Sequence, residues 1–163
     1  MRKTIILHTL LSILSFSSYS QVGLGVYPSG SEAGLSFKTS KLNSFFADIR
    51  MSDFNFSQNI EELSFKNEVF AKYRLTYFER INFIIGLGPR MEFYGQRRPF
   101  WGIAAPIAVE AFPFPFPNAA LFFEVAPFYA SDLHGQYHGG FRTASGINFY
   151  FVPRKSKLPE NGQ

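Results

Sequence analysis

The chain has no cysteine. Disulfides, thiolate metal sites and a lipid anchor carried on a cysteine are therefore excluded together. Charge is sparse, with Asp, Glu, Lys and Arg making up 17% of 163 residues. The two signs are scattered, so there is no basic stripe of the kind that follows a phosphate backbone and no nucleic acid is expected as a partner. Beyond the N-terminus no apolar run approaches the roughly 18–20 residues of a membrane-spanning helix. What the chain does have is aromatic weight: 21 Phe and 8 Tyr beside a single Trp.

The first 20 residues stand apart. Arg2 and Lys3 are followed by a mostly apolar stretch from Thr4 to Phe16, then by Ser17, Ser18, Tyr19 and Ser20. A basic start, a short apolar run and small residues at the cleavage positions predict a secretory signal peptide over 1–20, cut before Gln21. An uncleaved N-terminal anchor is the alternative. Without Arg2 and Lys3 the 16 basic residues fall to 14 against 12 acidic ones, so the mature chain carries about +2 rather than +4.

From Gln21 the dominant period is two, the signature of strands whose two faces differ. Eight strands are predicted, over 21–27, 32–39, 44–54, 65–78, 81–94, 100–112, 120–130 and 139–151. One face is apolar throughout, as in Leu24 and Val26, Ile49 and Met51, Val69 and Tyr73, Phe83 and Ile85, or Phe149 and Phe151. The other face carries Lys38, Asp48, Arg50, Glu68, Lys72, Arg74, Arg90, Glu92, Glu110, Glu124 and Arg142, together with many Gly and Ala. Connections are short around Lys41, Glu79–Arg80 and Pro117–Asn118, and mostly longer and more polar at the opposite end, above all from Asp53 to Ser64. Short turns at one end and long loops at the other are the pattern of bacterial outer-membrane barrels.

The faces decide between a membrane barrel and a soluble one. A soluble barrel turns its apolar face inward. Here the charged face is also the face rich in glycine and alanine, which suits the crowded interior of a narrow tube. The apolar face would then form a continuous outer band, which water does not tolerate but lipid does. The expected fold is all-β, an eight-stranded antiparallel up-and-down transmembrane barrel over 21–151, with a polar periplasmic tail over 152–163. Six basic and five acidic inward residues nearly balance, so a salt-bridged plug is expected rather than an open pore. Aromatic girdles are expected from Tyr27, Phe54, Tyr94, Trp101, Tyr129 and Tyr137 near the long-loop ends, and from Phe45, Tyr77, Phe78, Phe114, Phe116, Phe149 and Phe151 near the short turns.

The last strand, Ala144-Ser145-Gly146-Ile147-Asn148-Phe149-Tyr150-Phe151, resembles the C-terminal assembly signal of the small eight-stranded outer-membrane barrels, the family of OmpA-type and OmpX-type domains. Gly146, Phe149 and Phe151 match that pattern. Ala144 stands where the family has a polar residue, and the chain runs on past Phe151 where family members often stop. The resemblance implies a location in the outer membrane, recognition by the barrel-assembly machinery and contact with outer-membrane lipid and lipopolysaccharide. The tail is too short for a peptidoglycan-binding domain.

Several motifs hold residue types that can carry chemistry. Ser131, Asp132 and His134 are the residue types of a nucleophile, an orienter and a base, and some barrels of this size are lipid A acyltransferases or deacylases. The chain lacks the His-x-Ser motif of the deacylase family. His134 and His138 are four apart, a zinc spacing on a helix but not in a glycine-rich loop; no metal and no cofactor are expected. Arg97 and Arg98 sit in an outer loop where they face solvent or lipopolysaccharide phosphates. Pro89, Pro106 and Pro127 fall inside predicted strands, which reads as bulges or as a gap resembling the lipid entrance of the palmitoyltransferase family. Phe112-Pro113-Phe114-Pro115-Phe116-Pro117 stiffens one short turn and reads as a lipid anchor or a docking surface. The expected function is a non-enzymatic outer-membrane barrel, either free-standing or an accessory subunit with a protein partner in the envelope. A lipid A-modifying enzyme and a small channel are the alternatives.

Overall fold

The computed structural model describes residues 22–29, 32–52, 64–78, 80–94, 99–132 and 134–151. The expected signal peptide and polar tail lie outside these residues. Nine strands run in sequence: β1 (Val22–Ser29), β2 (Glu32–Lys38), β3 (Phe45–Ser52), β4 (Ser64–Phe78), β5 (Ile81–Tyr94), β6 (Phe100–Ala104), β7 (Ile107–Ala111), β8 (Ala119–Ser131) and β9 (Tyr137–Phe151). No helix occurs among the described residues.

Every pairing is antiparallel, and β9 returns to pair with β1 through Val22↔Phe151 to Val26↔Ile147. The sheet therefore closes on itself, which leaves no edge along that seam. The all-β antiparallel barrel expected from the period-two pattern is what forms. Eight strands become nine segments because the sixth is interrupted at Ala105 and Pro106. β6 and β7 both lie between β5 and β8, and their registers continue across the break. Proline has no N–H to give the ladder, which accounts for the interruption. The neighbouring backbone still bridges it, from Gly86 N–H to the Pro106 carbonyl at 2.8 Å and from Ala105 N–H to the Pro127 carbonyl at 3.0 Å. The ring has eight positions, one of them shared.

The tilt follows from the register. The row of paired residues from Gly25 passes through Ser36, Arg50, Glu68, Arg90, Gly102 and Ala130 and arrives at His138 on β9. Gly25 itself pairs with Asn148 on the same strand, ten residues further on. A stagger of this kind goes with strands inclined by about 35–45° to the barrel axis. It also makes the row climb as it circles, so side chains from one row sit at several depths in the lumen.

Burial alternates as the pattern requires. Leu24, Val26, Ile49, Met51, Val69, Tyr73, Phe83, Ile85, Trp101, Ile103, Phe123 and Phe149 are exposed on the outside. Phe46, Phe70, Ile84 and Phe122 are buried inside with the charged set. Lumen size explains the glycines. A Cβ on Gly25 would stand 2.2 Å from Asn148 Oδ1 and 2.3 Å from Ser36 Oγ. On Gly88 it would stand 1.9 Å from the Val69 carbonyl oxygen, where only a backbone shift could make room.

Three expectations need correcting. Tyr27 does not join the outer girdle; it is fully buried and points into the lumen, because β1 continues to Ser29 and keeps its alternation past the expected end. The 112–118 connection is longer than a tight turn, since three prolines forbid an early return to the ladder, whereas β1 and β2 are joined at the long-loop end by residues 30–31 alone. Of the remaining girdle residues, Trp101, Tyr129 and Tyr137 are exposed at one end and Phe45, Phe116, Phe149 and Phe151 at the other, with Phe114 half-buried. Phe54 and the side chains of Tyr77, Phe78 and Tyr94 lie outside what is described.

Candidate functional site

The inside of the barrel is polar and filled. Lys38, Asp48, Arg50, Glu68, Lys72, Arg74, Arg90, Glu92, Glu110 and Glu124 are all buried, and Arg142 is nearly so. Each sits on the inward face because its strand keeps the two-residue alternation. A charge in such a place is costly unless it is paired and hydrogen-bonded. The pairing is correspondingly dense, in three layers.

The layer nearest the short turns centres on Glu110. Its Oε1 accepts from Lys38 Nζ at 3.0 Å, from Asn148 Nδ2 at 2.9 Å and from the Tyr150 hydroxyl, and Arg74 Nη2 lies 3.8 Å from Oε2. Arg74 also donates to the Asn43 carbonyl at 2.6 Å and to that of Ser40 at 3.2 Å, and its guanidinium lies 4.4 Å from the centre of the Phe46 ring. The 39–44 connection is thereby folded over the mouth of the barrel. Lys41 completes the closure by donating to the Pro117 carbonyl on the opposite rim, with its ammonium 4.9 Å from the Phe112 ring.

The middle layer joins two carboxylates to three cations. Arg50 Nη1 and Nη2 donate to the two oxygens of Glu124 at 2.5 and 2.8 Å. Arg50 also reaches Asp48 Oδ2 through Nε and Nη2 at 3.1 and 2.9 Å. Lys72 Nζ donates to Asp48 and to Glu124, both at 2.7 Å. Arg142 Nη2 adds a third contact to Glu124 at 3.1 Å. The Arg50 guanidinium is enclosed by the rings of Tyr27, Phe70 and Phe122 at 5.2 to 5.6 Å. Such contacts favour a desolvated cation.

The layer nearest the long loops joins Arg90 to Glu68 at 2.9 Å and to Glu92, and His138 Nε2 to Glu92 at 3.2 Å. Phe100 and Phe128 hold the His138 ring edge-on from either side. Arg142 Nη1 lies 2.8 Å from Glu68 Oε2, close enough to attract but not aligned as a hydrogen bond. Because it also meets Glu124, Arg142 ties this layer to the middle one.

The residues singled out for catalysis have other employment. Asp132 Oδ1 accepts from the backbone N–H of His134 at 2.9 Å and of Gln136 at 2.8 Å. Ser131 Oγ donates to the Asp132 carbonyl at 3.0 Å. The exposed His134 ring has no hydrogen bond to either among the described residues. Gly135 takes φ 79° to close this turn. His134 and His138 are parted, one in the turn and the other in the barrel mouth, and no group of metal-ligating residues occurs among those described. Arg97 and Arg98 lie outside the described residues. Gly146, Phe149 and Phe151 lie on β9 where it closes the ring; Gly146 takes the close approach of β1, and the two rings face outward.

Tyr27 is a lumen residue that the sequence reading missed, and Asn148 and Tyr150 are partners of the charge network that it did not name. Alternation alone placed Asn148 and Tyr150 inward, but their joint convergence on Glu110 depends on the ring closing.

Two solved structures share this architecture. One is a designed protein from "De novo design of transmembrane beta-barrels", with TM-score 0.53 and 13% identity over 80% of this chain and 92% of that one. The other is the Neisserial surface protein A, NspA, with TM-score 0.55 and 11% identity over 80% of this chain and 94% of that one. At these identities the likeness shows the fold, that of a small transmembrane β-barrel. No protein-family model matches the chain, and no curated protein sequence matches it either.

Proposed function

We propose that this chain is a non-enzymatic outer-membrane barrel whose lumen is closed by its own side chains and whose outer wall meets lipid. The observation that carries this reading is the inversion of a soluble protein. Apolar side chains are exposed around the whole ring, while ten charged residues are buried within it. Closed pairing removes the cost of unsatisfied backbone groups in a bilayer, and a lumen of this width is filled by side chains. The predicted signal peptide and the resemblance of the last strand to an assembly signal agree with export to the outer membrane and with insertion by the barrel-assembly machinery.

The role is that of a free-standing envelope protein or an accessory subunit with a protein partner in the same membrane. Lipopolysaccharide is the lipid expected around the long-loop end. The channel alternative has to contend with struts that cross the lumen. The lipid A-modifying alternative has to contend with Asp132, whose carboxylate oxygen is occupied by the turn.

The test is membrane fractionation with an unboiled denaturing gel. Recovery with the outer membrane and a migration that changes on boiling are expected. Recovery in the soluble periplasm, or identical migration before and after boiling, overturns the barrel reading. Reproducible conductance in planar bilayers would transfer it to the channel alternative, and an altered lipid A profile in a deletion strain to the enzyme.

A further inference from the structure

Alternation fixes strand pairing only to within two residues. A slip of one turns every side chain to the wrong face. A slip of two leaves every side chain on its proper face. Where two strands are joined by a short turn, the turn removes this freedom. The seam between β1 and β9 has no such connection, because it joins the first strand to the last. Its register is also short, running from Val22↔Phe151 to Val26↔Ile147, whereas β8 and β9 pair from Ala119↔Phe149 to Ser131↔Tyr137. Yet this seam sets the stagger of the whole ring, and stagger, tilt and width are linked.

On its outer face the seam says little about register. Val22, Leu24 and Val26 lie opposite Phe151, Phe149 and Ile147, bulky against bulky. On its inner face it alternates in size. Gly23 lies opposite Tyr150, Gly25 lies opposite Asn148, and Tyr27 lies beside Gly146. The fit is close. A Cβ on Gly23 would stand 2.7 Å from the Tyr150 ring, and one on Gly146 would stand 2.8 Å from Tyr27 Cβ. Tyr27 needs the same room on its other side, where a Cβ on Gly34 of β2 would stand 2.6 Å from its hydroxyl oxygen.

A slip of two in one direction would set Tyr27 against Ala144 and leave Gly25 facing Gly146, a crowded pair beside an empty one. A slip in the other direction would set Tyr27 against Asn148. The observed register also lets Glu110 Oε1 accept from Lys38 on β2 and from Asn148 and Tyr150 on β9. Lys38 is carried opposite Gly23, so a slip of two would displace it by about 7 Å along the seam.

We infer that β1 and β9 carry a size code that selects the register at which the barrel closes, with Tyr27 as its bulky element and Gly34 and Gly146 as the bare positions that receive it. The code picks one stagger from several that satisfy the in-out pattern equally. It thereby sets the tilt of the strands and the width of the lumen, and it brings the cross-lumen charges into line.

The chain has no cysteine, so introduced pairs report the register directly. The full chain is refolded into lipid vesicles, oxidised after folding, and run boiled without reductant to read the cross-link. L24C/F149C samples the observed register; L24C/I147C and L24C/F151C sample the two slips. Residues two out of step across a strand pair stand about 7–8 Å apart, beyond the reach of a disulfide. In the otherwise native chain only L24C/F149C should close. The background G25Y/Y27G/S36G moves the tyrosine two residues along β1 and bares the position paired with residue 25 on β2. There the cross-link should pass to L24C/I147C, the register that sets residue 25 opposite Gly146. Tyr27→Ala removes the bulky element without moving it and should raise the slipped cross-links several-fold.

A cross-link that stays with L24C/F149C in both backgrounds overturns the inference, as does slipped cross-linking in the otherwise native chain. An unboiled gel on the same samples reports folding, and if the triple variant does not fold, Tyr27→Ala decides alone. A folded barrel whose register ignores Tyr27 fails this inference and leaves the proposed function standing.

Discussion

Arg50 on β3 and Glu124 on β8 stand on opposite walls of the barrel, four ring positions apart in either direction, and meet across the lumen through two bonds of 2.5 and 2.8 Å. Lys38 on β2 and Glu110 on β7 do the same nearer the short turns. Arg142 on β9 and Glu68 on β4 do it nearer the long loops. Ladder hydrogen bonds hold neighbouring strands together; these three pairs hold strands that are not neighbours.

Glu124 should be the costliest carboxylate to neutralise. It faces Arg50, Lys72 and Arg142 together, and removing one partner of a buried ionic set leaves uncompensated charge worth about 3–5 kcal/mol. Glu124→Gln should lower the urea unfolding free energy by about that much in refolding vesicles. Replacing Arg50 by Met together with Glu124→Gln should cost less than the two single losses added, because the second change relieves the first. Strict additivity would mean that the strut is not a coupled unit.

Two glycines should respond differently to the same methyl group. Gly88→Ala meets the Val69 carbonyl at 1.9 Å and has to displace a strand, whereas Gly25→Ala meets the movable side chains of Ser36 and Asn148. The expected order of destabilisation is Gly88→Ala above Gly25→Ala, read from the unfolding midpoint. Gly135→Ala has open space around it but takes φ 79°, so its cost should be about 1–2 kcal/mol from backbone strain alone.

Depth should decide the cost of an outward charge. Phe123 is 55% exposed on β8, well inside the apolar band. Phe123→Arg should cost about 2–4 kcal/mol, against about 0–1 kcal/mol for Tyr137→Arg at the outer end of β9. Equal costs in vesicles would show that the band does not face lipid.

In the last outer turn, Asp132 and His134 should separate. Asp132→Ala removes an acceptor for two backbone N–H groups and should destabilise by about 0.5–2 kcal/mol. His134→Ala should leave unfolding unchanged. A lipid A profile that responds to His134→Ala without any change in stability would speak for chemistry at this turn.

How much of this was legible in the sequence depends on the range of the information. Alternation is local, so strand faces could be read directly: Ile49 out and Arg50 in, Phe123 out and Glu124 in. Ring closure could be inferred because neither face left room for an edge. Partners could not be read. Arg50 finds Glu124 rather than Glu110 because of a ten-residue stagger accumulated around the whole ring, and no single strand carries that quantity. Tyr27 is misplaced for a smaller reason: a strand that ends at residue 27 leaves its last side chain free to turn outward, and β1 runs on to Ser29. The Ser131-Asp132-His134 group looked chemical because residue types were visible and turn hydrogen bonds were not.

The three lumen pairs join ring positions two and six, three and seven, and four and eight, each turned by one strand from the last as they rise from the short turns towards the long loops. A hoop with one spoke can still be squashed at right angles to it. A hoop with spokes along several diameters, at different heights, cannot easily be flattened into an ellipse from any side. The elastic consequence is that lateral pressure or bending of the surrounding bilayer should meet a wall of nearly constant cross-section, so shape changes are left to the loops and turns at its two ends.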